Sequence, residues 1–67
     1  MASKFQEVTM AWAQATAAKM KYIGTDAANG HPDHKLYHDA KQEMWLRVLD
    51  LGGGRARIWW APGKCNC

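Results

Sequence analysis

The chain has 67 residues, of which 48% are hydrophobic and 22% are charged, and its formal net charge is +3 at pH 7. This length allows one small domain, and the hydrophobic fraction is too high for a disordered chain. The nine lysine and arginine residues are scattered, so no polybasic tail demands an acidic partner. We therefore expect residues 1–67 to form a single domain.

The first predicted element is a helix over residues 3–23. A capping-box pattern begins at Ser3, and the alanine-rich run that follows it favours a helix. Gly24 is a natural stop for this helix. At helical spacing one face is aromatic and aliphatic and predicts a core contact, whereas Met10 and Met20 fall on a second, narrower stripe. This second stripe predicts a contact with another molecule.

A turn over residues 24–32 and a second helix over residues 33–51 follow. Gly, Asn, Pro and Asp residues favour turns in the first segment, and apolar residues recur at helical spacing in the second. An alternative remains open, because residues 45–51 also fit a β-strand that pairs with residues 55–61 across three glycines. We favour the helix, since its residue types are good helix formers and no turn residue interrupts the segment.

The last predicted element is a strand over residues 55–61, followed by a loose tail over residues 62–67. Ile58, Trp59 and Trp60 have high strand preference, and the Pro-Gly pair that follows closes the strand. A strand next to two helices would have no partner in its own chain, so two copies would pair across a twofold axis. The predicted fold class is therefore α+β and mostly α: a two-helix hairpin followed by a short C-terminal β-strand, assembled as a homodimer.

Two histidines and two cysteines supply the ligand types of a zinc site. His34 and His38 are four residues apart, a spacing that would project both rings the same way from a helix. Cys65 and Cys67 would complete a tetrahedral set. The Cys-x-Cys spacing is tighter than usual, however, and surface histidines with a loose tail are the alternative interpretation.

Nucleic-acid binding is the second chemistry that the sequence suggests. Arg55, Arg57 and Trp59 alternate, so on a strand they share one face, where arginine can contact phosphate and tryptophan can stack on a base. A zinc-stabilised nucleic-acid-binding module is therefore the alternative function. The competing interpretation is that the arginines only cover the solvent side of the strand.

The leading hypothesis is a non-enzymatic binding protein. No carboxylates are paired in an evident cleft, no phosphate-binding loop is present, and the domain has little room for a buried pocket. Four tryptophans exceed what so small a core can bury, and Met, Trp and Arg are enriched at interface centres. We expect docking on a larger protein that it modulates or inhibits, as a phage or mobile-element accessory protein would. The predicted contact residues are Trp59, Arg57, Arg55, Trp45, Met20 and Met10.

The sequence also predicts a location. Its N-terminal segment lacks a basic region followed by an uninterrupted apolar run, and no segment approaches the roughly 20 apolar residues of a membrane span. A cytoplasmic protein without membrane contact is expected, in which Cys65 and Cys67 would be thiols.

Overall fold

A computed structural model describes residues 5–65 of the chain as one antiparallel sheet with a short helix. The elements are β1 (Gln6–Thr9), α1 (Met10–Ala17), β2 (Lys21–Asp26), a 3-10 turn (Ala27–Asn29), β3 (His31–Asp39), β4 (Met44–Gly52) and β5 (Arg55–Pro62). The strand order is β1-β5-β4-β3-β2, and all neighbours are antiparallel. Strands β2 to β5 thus form a meander, and α1 carries the chain from β1 at one edge of the sheet to β2 at the other.

The predicted two-helix hairpin is wrong. The helix expected over residues 3–23 is confined to Met10–Ala17, and strands flank it on both sides. The helix expected over residues 33–51 is replaced by β3, a turn and β4. Ser3, the expected helix cap, lies outside the described residues, and the cap is Thr9, whose Oγ1 accepts a hydrogen bond from the Trp12 N–H at 3.1 Å.

The first helix is short because pairing competes with helix propensity. An isolated helix of eight residues is marginal in water, however many alanines it contains. The segments on either side of α1 instead pair with β5 and β3, where each gains backbone hydrogen bonds along a ladder. Tertiary pairing therefore overrides the local preference for a longer helix.

The spacing of apolar residues that predicted the second helix also fits a strand. A spacing of four residues fits one turn of a helix and also fits alternate positions of a strand. In β4, Leu46 and Val48 lie on one face of the sheet and Arg47 and Leu49 on the other. The turn before β4 contains Glu43 at a φ of +52°, which a continuous helix would not allow.

The predicted C-terminal strand is confirmed, and so is the alternative hairpin. The expected strand over residues 55–61 is β5, and it pairs with β4 in the register Trp45↔Ala61 to Gly52↔Arg55. Gly53 and Gly54, with φ of +63° and +77°, form the connecting turn in a conformation that suits glycine. β5 pairs with β4 on one side and with β1 on the other, so it needs no strand from a second copy. The homodimer stays a prediction, but an unpaired strand no longer supports it.

The hydrophobic core lies between α1 and one face of the sheet. Ala13 and Ala17 are small enough to bring the helix close to the strands beneath it. Met10 and Met20, expected to form an outer contact stripe, pack against this core and are only partly exposed. The buried sheet residues of the core are Leu46, Val48, Ala56 and Ile58.

Within residues 5–65, no helix has both the length and the hydrophobicity of a membrane span.

We predict that Leu46→Ala lowers the free energy of unfolding by about 2–5 kcal/mol, because it leaves a cavity at a fully buried position. Leu51→Ala is the matched control: this leucine lies on the same strand but is 39% exposed, so the loss should be below about 1 kcal/mol. Urea denaturation of both variants measures the difference, and equal losses would contradict this description of the core.

Candidate functional site

The candidate site is the face of the sheet opposite α1, which we call the open face. Side chains alternate along each strand, so the neighbours of the core residues in β4 and β5 must point away from the helix. The register of β3 and β1 adds further residues to the same side. The open face comprises Phe5, Glu7, His34, Leu36, His38, Trp45, Arg47, Leu49, Arg55, Arg57 and Trp59.

Trp59 lies at the centre of an aromatic cluster on this face, which comprises Phe5, His31, His34 and Trp59. The indole stacks on His34, with ring centroids 5.2 Å apart and planes inclined by 22°. His34 in turn stacks on His31 at 4.6 Å, and Phe5 contacts the indole at 6.2 Å. Since Trp59 belongs to β5 and His34 to β3, the contact spans β4 and packs this face into an ordered surface.

Arginines surround the aromatic cluster, and Arg57 differs from the others. The Arg47 guanidinium lies 5.4 Å from the Trp59 ring centroid, and the Arg57 guanidinium lies 4.2 Å from that of Phe5. Arg55 donates to Glu7 at 3.3 Å, which occupies the carboxylate directly opposite Arg57 in the register. The Arg57 Nε is buried without a hydrogen-bond partner. Arg57 is therefore a positioned cation without a carboxylate among the described residues.

A pocket of about 280 Å³ opens beside Trp59, and we call it the Asp26 pocket. Its apolar walls include Trp45, Trp59 and Leu36, and its polar end holds Asp26, Asn29 and Arg47. The Asp26 side chain is only 6% exposed; its Oδ1 accepts from Asn29 Nδ2 at 2.7 Å. Its Oδ2 lies 3.8 Å from Arg47 Nε, which is an ion pair but too long for a hydrogen bond.

Trp45 is fixed as one wall of this pocket by its neighbours. Its ring meets His38 edge-to-face at 4.8 Å, and the His38 Nε2 hydrogen-bonds to the Gly63 carbonyl oxygen at 2.9 Å. A Cβ on Gly63 would lie 3.3 Å from Trp45 Nε1, so glycine allows the close approach of backbone and indole. The wall is therefore positioned before any ligand arrives.

Burial lowers the pKa of His34, and His31 and Arg47 lower it further against the opposing charges of Asp33 and Asp26. Its Nδ1 is buried and lacks a hydrogen-bond partner among the described residues. Both observations favour a neutral ring stacked on Trp59, because an imidazolium here would be poorly solvated and close to an arginine.

Four of the six predicted contact residues come together, and two do not. Trp59, Arg57, Arg55 and Trp45 all lie on the open face, whereas Met10 and Met20 belong to the core on the other side. Sequence reasoning did not assign Phe5, His34 or Arg47 to a contact surface, nor Asp26 to a pocket beside it. Alternation through residues 45–51 would have placed Arg47 on the same face as Trp59.

The predicted zinc ligands are not gathered into one site within the described residues. On a strand His34 and His38 share a face, but four residues separate their Cα atoms by about 13 Å. Cys65 is in a disulfide bond, whereas the sequence predicted a thiol, and Cys67 lies outside the described residues. In residues 5–65 no group of three or more His, Cys, Asp or Glu side chains is arranged to hold a metal ion.

Comparison with known proteins gives no match, whether to protein-family models, to curated proteins or to solved structures. The function therefore has to be argued from the geometry and chemistry of the open face.

We predict that the protein loses stability as the pH falls below about 6.5, the pKa of an unperturbed histidine. Above that pH, His34 is neutral in both states and contributes no slope. Below it, the unfolded chain binds a proton that folded His34 resists, because its pKa is lowered. The free energy of unfolding should therefore decline with falling pH until the lowered pKa is passed.

The variant His34→Phe keeps a ring against Trp59 but cannot titrate, so its urea midpoint should fall less between about pH 7.5 and pH 5. His31→Phe is the control and should retain most of the slope, since burial of His34 is the largest cause of its lowered pKa. If the wild type and His34→Phe have the same slope, His34 is not the titrating group.

Proposed function

We propose that this protein is a non-enzymatic binding protein whose open face docks on an acidic surface of a larger protein and thereby modulates or inhibits that protein. The observation that carries the proposal is Arg57, a guanidinium stacked on Phe5, with a buried unpartnered Nε and its opposite carboxylate already engaged by Arg55. A carboxylate of another molecule would pair with the outer nitrogens of this guanidinium, since the buried Nε itself is out of reach.

The composition of the open face supports a protein interface. Trp59 and Trp45 are half-buried, and surrounding rings hold both, so little side-chain entropy is lost when a partner covers them. Aromatic residues and arginine are the types that carry most of the energy at protein interfaces. Arg47 contacts the Trp59 ring directly, and Arg57 contacts Phe5, which in turn contacts Trp59. The apolar centre of the face is therefore bordered by charged groups.

The charges on this face favour an acidic partner of protein rather than nucleic acid. Arg47 and Arg55 are each paired with a carboxylate, so Asp26 and Glu7 place negative charge on two sides of Trp59. A protein can match such mixed charges residue by residue. A nucleic-acid backbone presents repeated negative charge and would be repelled at both carboxylates. The stacked His34 also occupies indole surface that a base would need.

The proposed effect on the partner is occlusion. A standard protein interface covers about 800 Å² on each partner, which is roughly one sixth of the 4775 Å² that this chain exposes. The open face is one side of a single five-stranded sheet, so docking there would cover a continuous patch of the partner. An inhibitor of this kind needs no catalytic groups of its own.

We predict that Trp59→Ala and Arg57→Glu each weaken binding to the partner by at least about 30-fold, which corresponds to roughly 2 kcal/mol at an interface centre. Arg57→Glu should weaken it most, because it places a carboxylate against an acidic surface. Affinity capture from the source cell, with mass spectrometry of the retained proteins, identifies the partner, and titration calorimetry measures the dissociation constants.

Lys41→Ala is the matched control, since this exposed lysine lies in the turn before β4 and away from the open face. Both Lys41→Ala and Arg57→Glu remove one positive charge, but only Arg57→Glu also adds a negative one. The dissociation constant of Lys41→Ala should stay within about twofold of the wild-type value. Circular dichroism must show that all variants keep the fold. Capture that is unchanged by Trp59→Ala and Arg57→Glu, or replaced by salt-sensitive binding to single-stranded oligonucleotides, would overturn the proposal.

A further inference from the structure

The polar end of the Asp26 pocket offers a carboxylate oxygen to a ligand. The Asp26 side chain is more than nine-tenths buried, yet its Oδ2 has no hydrogen bond within the described part of the chain. Its contact with Arg47 is 3.8 Å long, so the ion pair leaves space for a donor to reach that oxygen. Because this oxygen is open to the pocket, a ligand that covers it has to donate a hydrogen bond in place of solvent, or the acceptor is left without one at a cost in free energy.

The charges around the pocket exclude most ligand groups. An anionic group would meet the buried Asp26 carboxylate, and a cationic group would meet the Arg47 guanidinium, which already neutralises Asp26. A purely hydrocarbon group would cover Asp26 Oδ2 and leave it without a hydrogen bond. A neutral group with an N–H or O–H donor is the class that meets none of these penalties.

The walls and size of the pocket define the rest of the ligand. The indoles of Trp45 and Trp59 and the side chain of Leu36 form an apolar lining, which suits the faces of an aromatic ring. The volume of about 280 Å³ is just below the range of pockets for drug-sized ligands, so it accommodates one side chain. Trp45 is already fixed by His38 and Gly63, so the lining does not have to form during binding.

We propose that the Asp26 pocket binds a tyrosine or tryptophan side chain of the partner protein, whose O–H or N–H donates to Asp26 Oδ2 while its ring lies against Trp45 and Trp59. This inference rests on the proposed function, because the pocket shares Trp59 and Arg47 with the open face. The two claims use different residues: Arg57 contacts the acidic surface, and Asp26 selects the aromatic side chain. A nucleobase has similar chemistry but would bring the repelled phosphate backbone with it.

The test is a titration of the full chain with blocked amino acids, followed by the indole and Asn29 side-chain signals in a nitrogen–proton NMR correlation spectrum. N-acetyl-tryptophanamide and N-acetyl-tyrosinamide should bind with dissociation constants on the order of 1 mM and shift the signals of Trp45, Trp59 and Asn29. N-acetyl-phenylalaninamide, which has the ring without the donor, should bind about tenfold more weakly.

Variants inside and outside the Asp26 pocket test whether the probes bind there. Gly63→Ala should displace the Trp45 ring and weaken both donor-bearing probes by about tenfold, since its Cβ would lie within 3.3 Å of the indole. Trp12→Phe removes an indole that is 44% exposed on α1 outside the pocket, and should change neither affinity. Gly63→Ala must retain the wild-type circular dichroism spectrum, and Trp45→Phe provides a second change of the same wall.

Three results would overturn the inference: equal affinity for the phenylalanine and tryptophan probes, tighter binding of guanosine or adenosine than of either donor-bearing probe, or no shift with any probe. None of them decides the proposed function, which depends on Arg57→Glu and the captured partner. Conversely, unchanged capture by Arg57→Glu would remove the proposed function even where the probes bind as expected.

Discussion

The pairing of β4 with β5 is the constraint on which both faces of the molecule depend. Its register places Val48 opposite Ile58 on the side of α1 and Arg47 opposite Trp59 on the open face. Because side chains alternate along a strand, a shift of one residue would put the arginines into the core and the core residues into solvent. The turn at Gly53 and Gly54 and the bulge between Asp50 and Gly52 connect the two strands in this register, so one hairpin positions both the core and the site.

The small core explains why the open face is itself so well packed. Among the described residues the fully buried side chains larger than alanine are few, and Leu46 and Ile58 are the largest of them. A chain of this length buries a modest fraction of its surface, so additional packing has to come from partly exposed groups. The stacked rings of His34 and Trp59 and the guanidinium over Phe5 supply such packing. Residues that stabilise this sheet are therefore the same residues that a partner would contact.

Part of this fold could be read from the sequence. The strand over residues 55–61 was predictable, because alternating Arg, Ile and Trp residues between a glycine run and Pro-Gly have one strong interpretation. The sequence favours the hairpin with residues 45–51 less than a helix, since Lys41, Gln42, Glu43 and Met44 before it are good helix formers. Lys41, Gln42 and Glu43 form the turn after β3, and Met44 begins β4.

The extent of α1 was not predictable from local pattern. Alanine-rich residues favour a helix, but the segments beside α1 gain more from pairing with β5 and β3, which lie far away in the sequence.

The same reasoning separates the predictable from the unpredictable part of the site. Arg55, Arg57 and Trp59 share a face because they alternate within one strand, and this needs only sequence spacing. His34, Arg47 and Asp26 join them through register across three strands. No spacing in the chain encodes that register until the order of the strands is known. Met10 and Met20 do not share the predicted helical stripe, because α1 ends at Ala17, and both pack against the core.

The buried polar groups that lack hydrogen bonds among the described residues lie on the open face. In residues 5–65, the buried side-chain nitrogens that lack a hydrogen bond are His34 Nδ1 and Arg57 Nε, and both belong to the open face. Asp26 Oδ2 differs from these two atoms, because it has only a long ion pair but is open to the pocket beside them. Buried polar groups are normally satisfied, because each one left unpaired costs free energy. Both atoms lie on one side of the sheet, near Trp59, so the cost of leaving them unpaired is concentrated on the face at which docking is proposed.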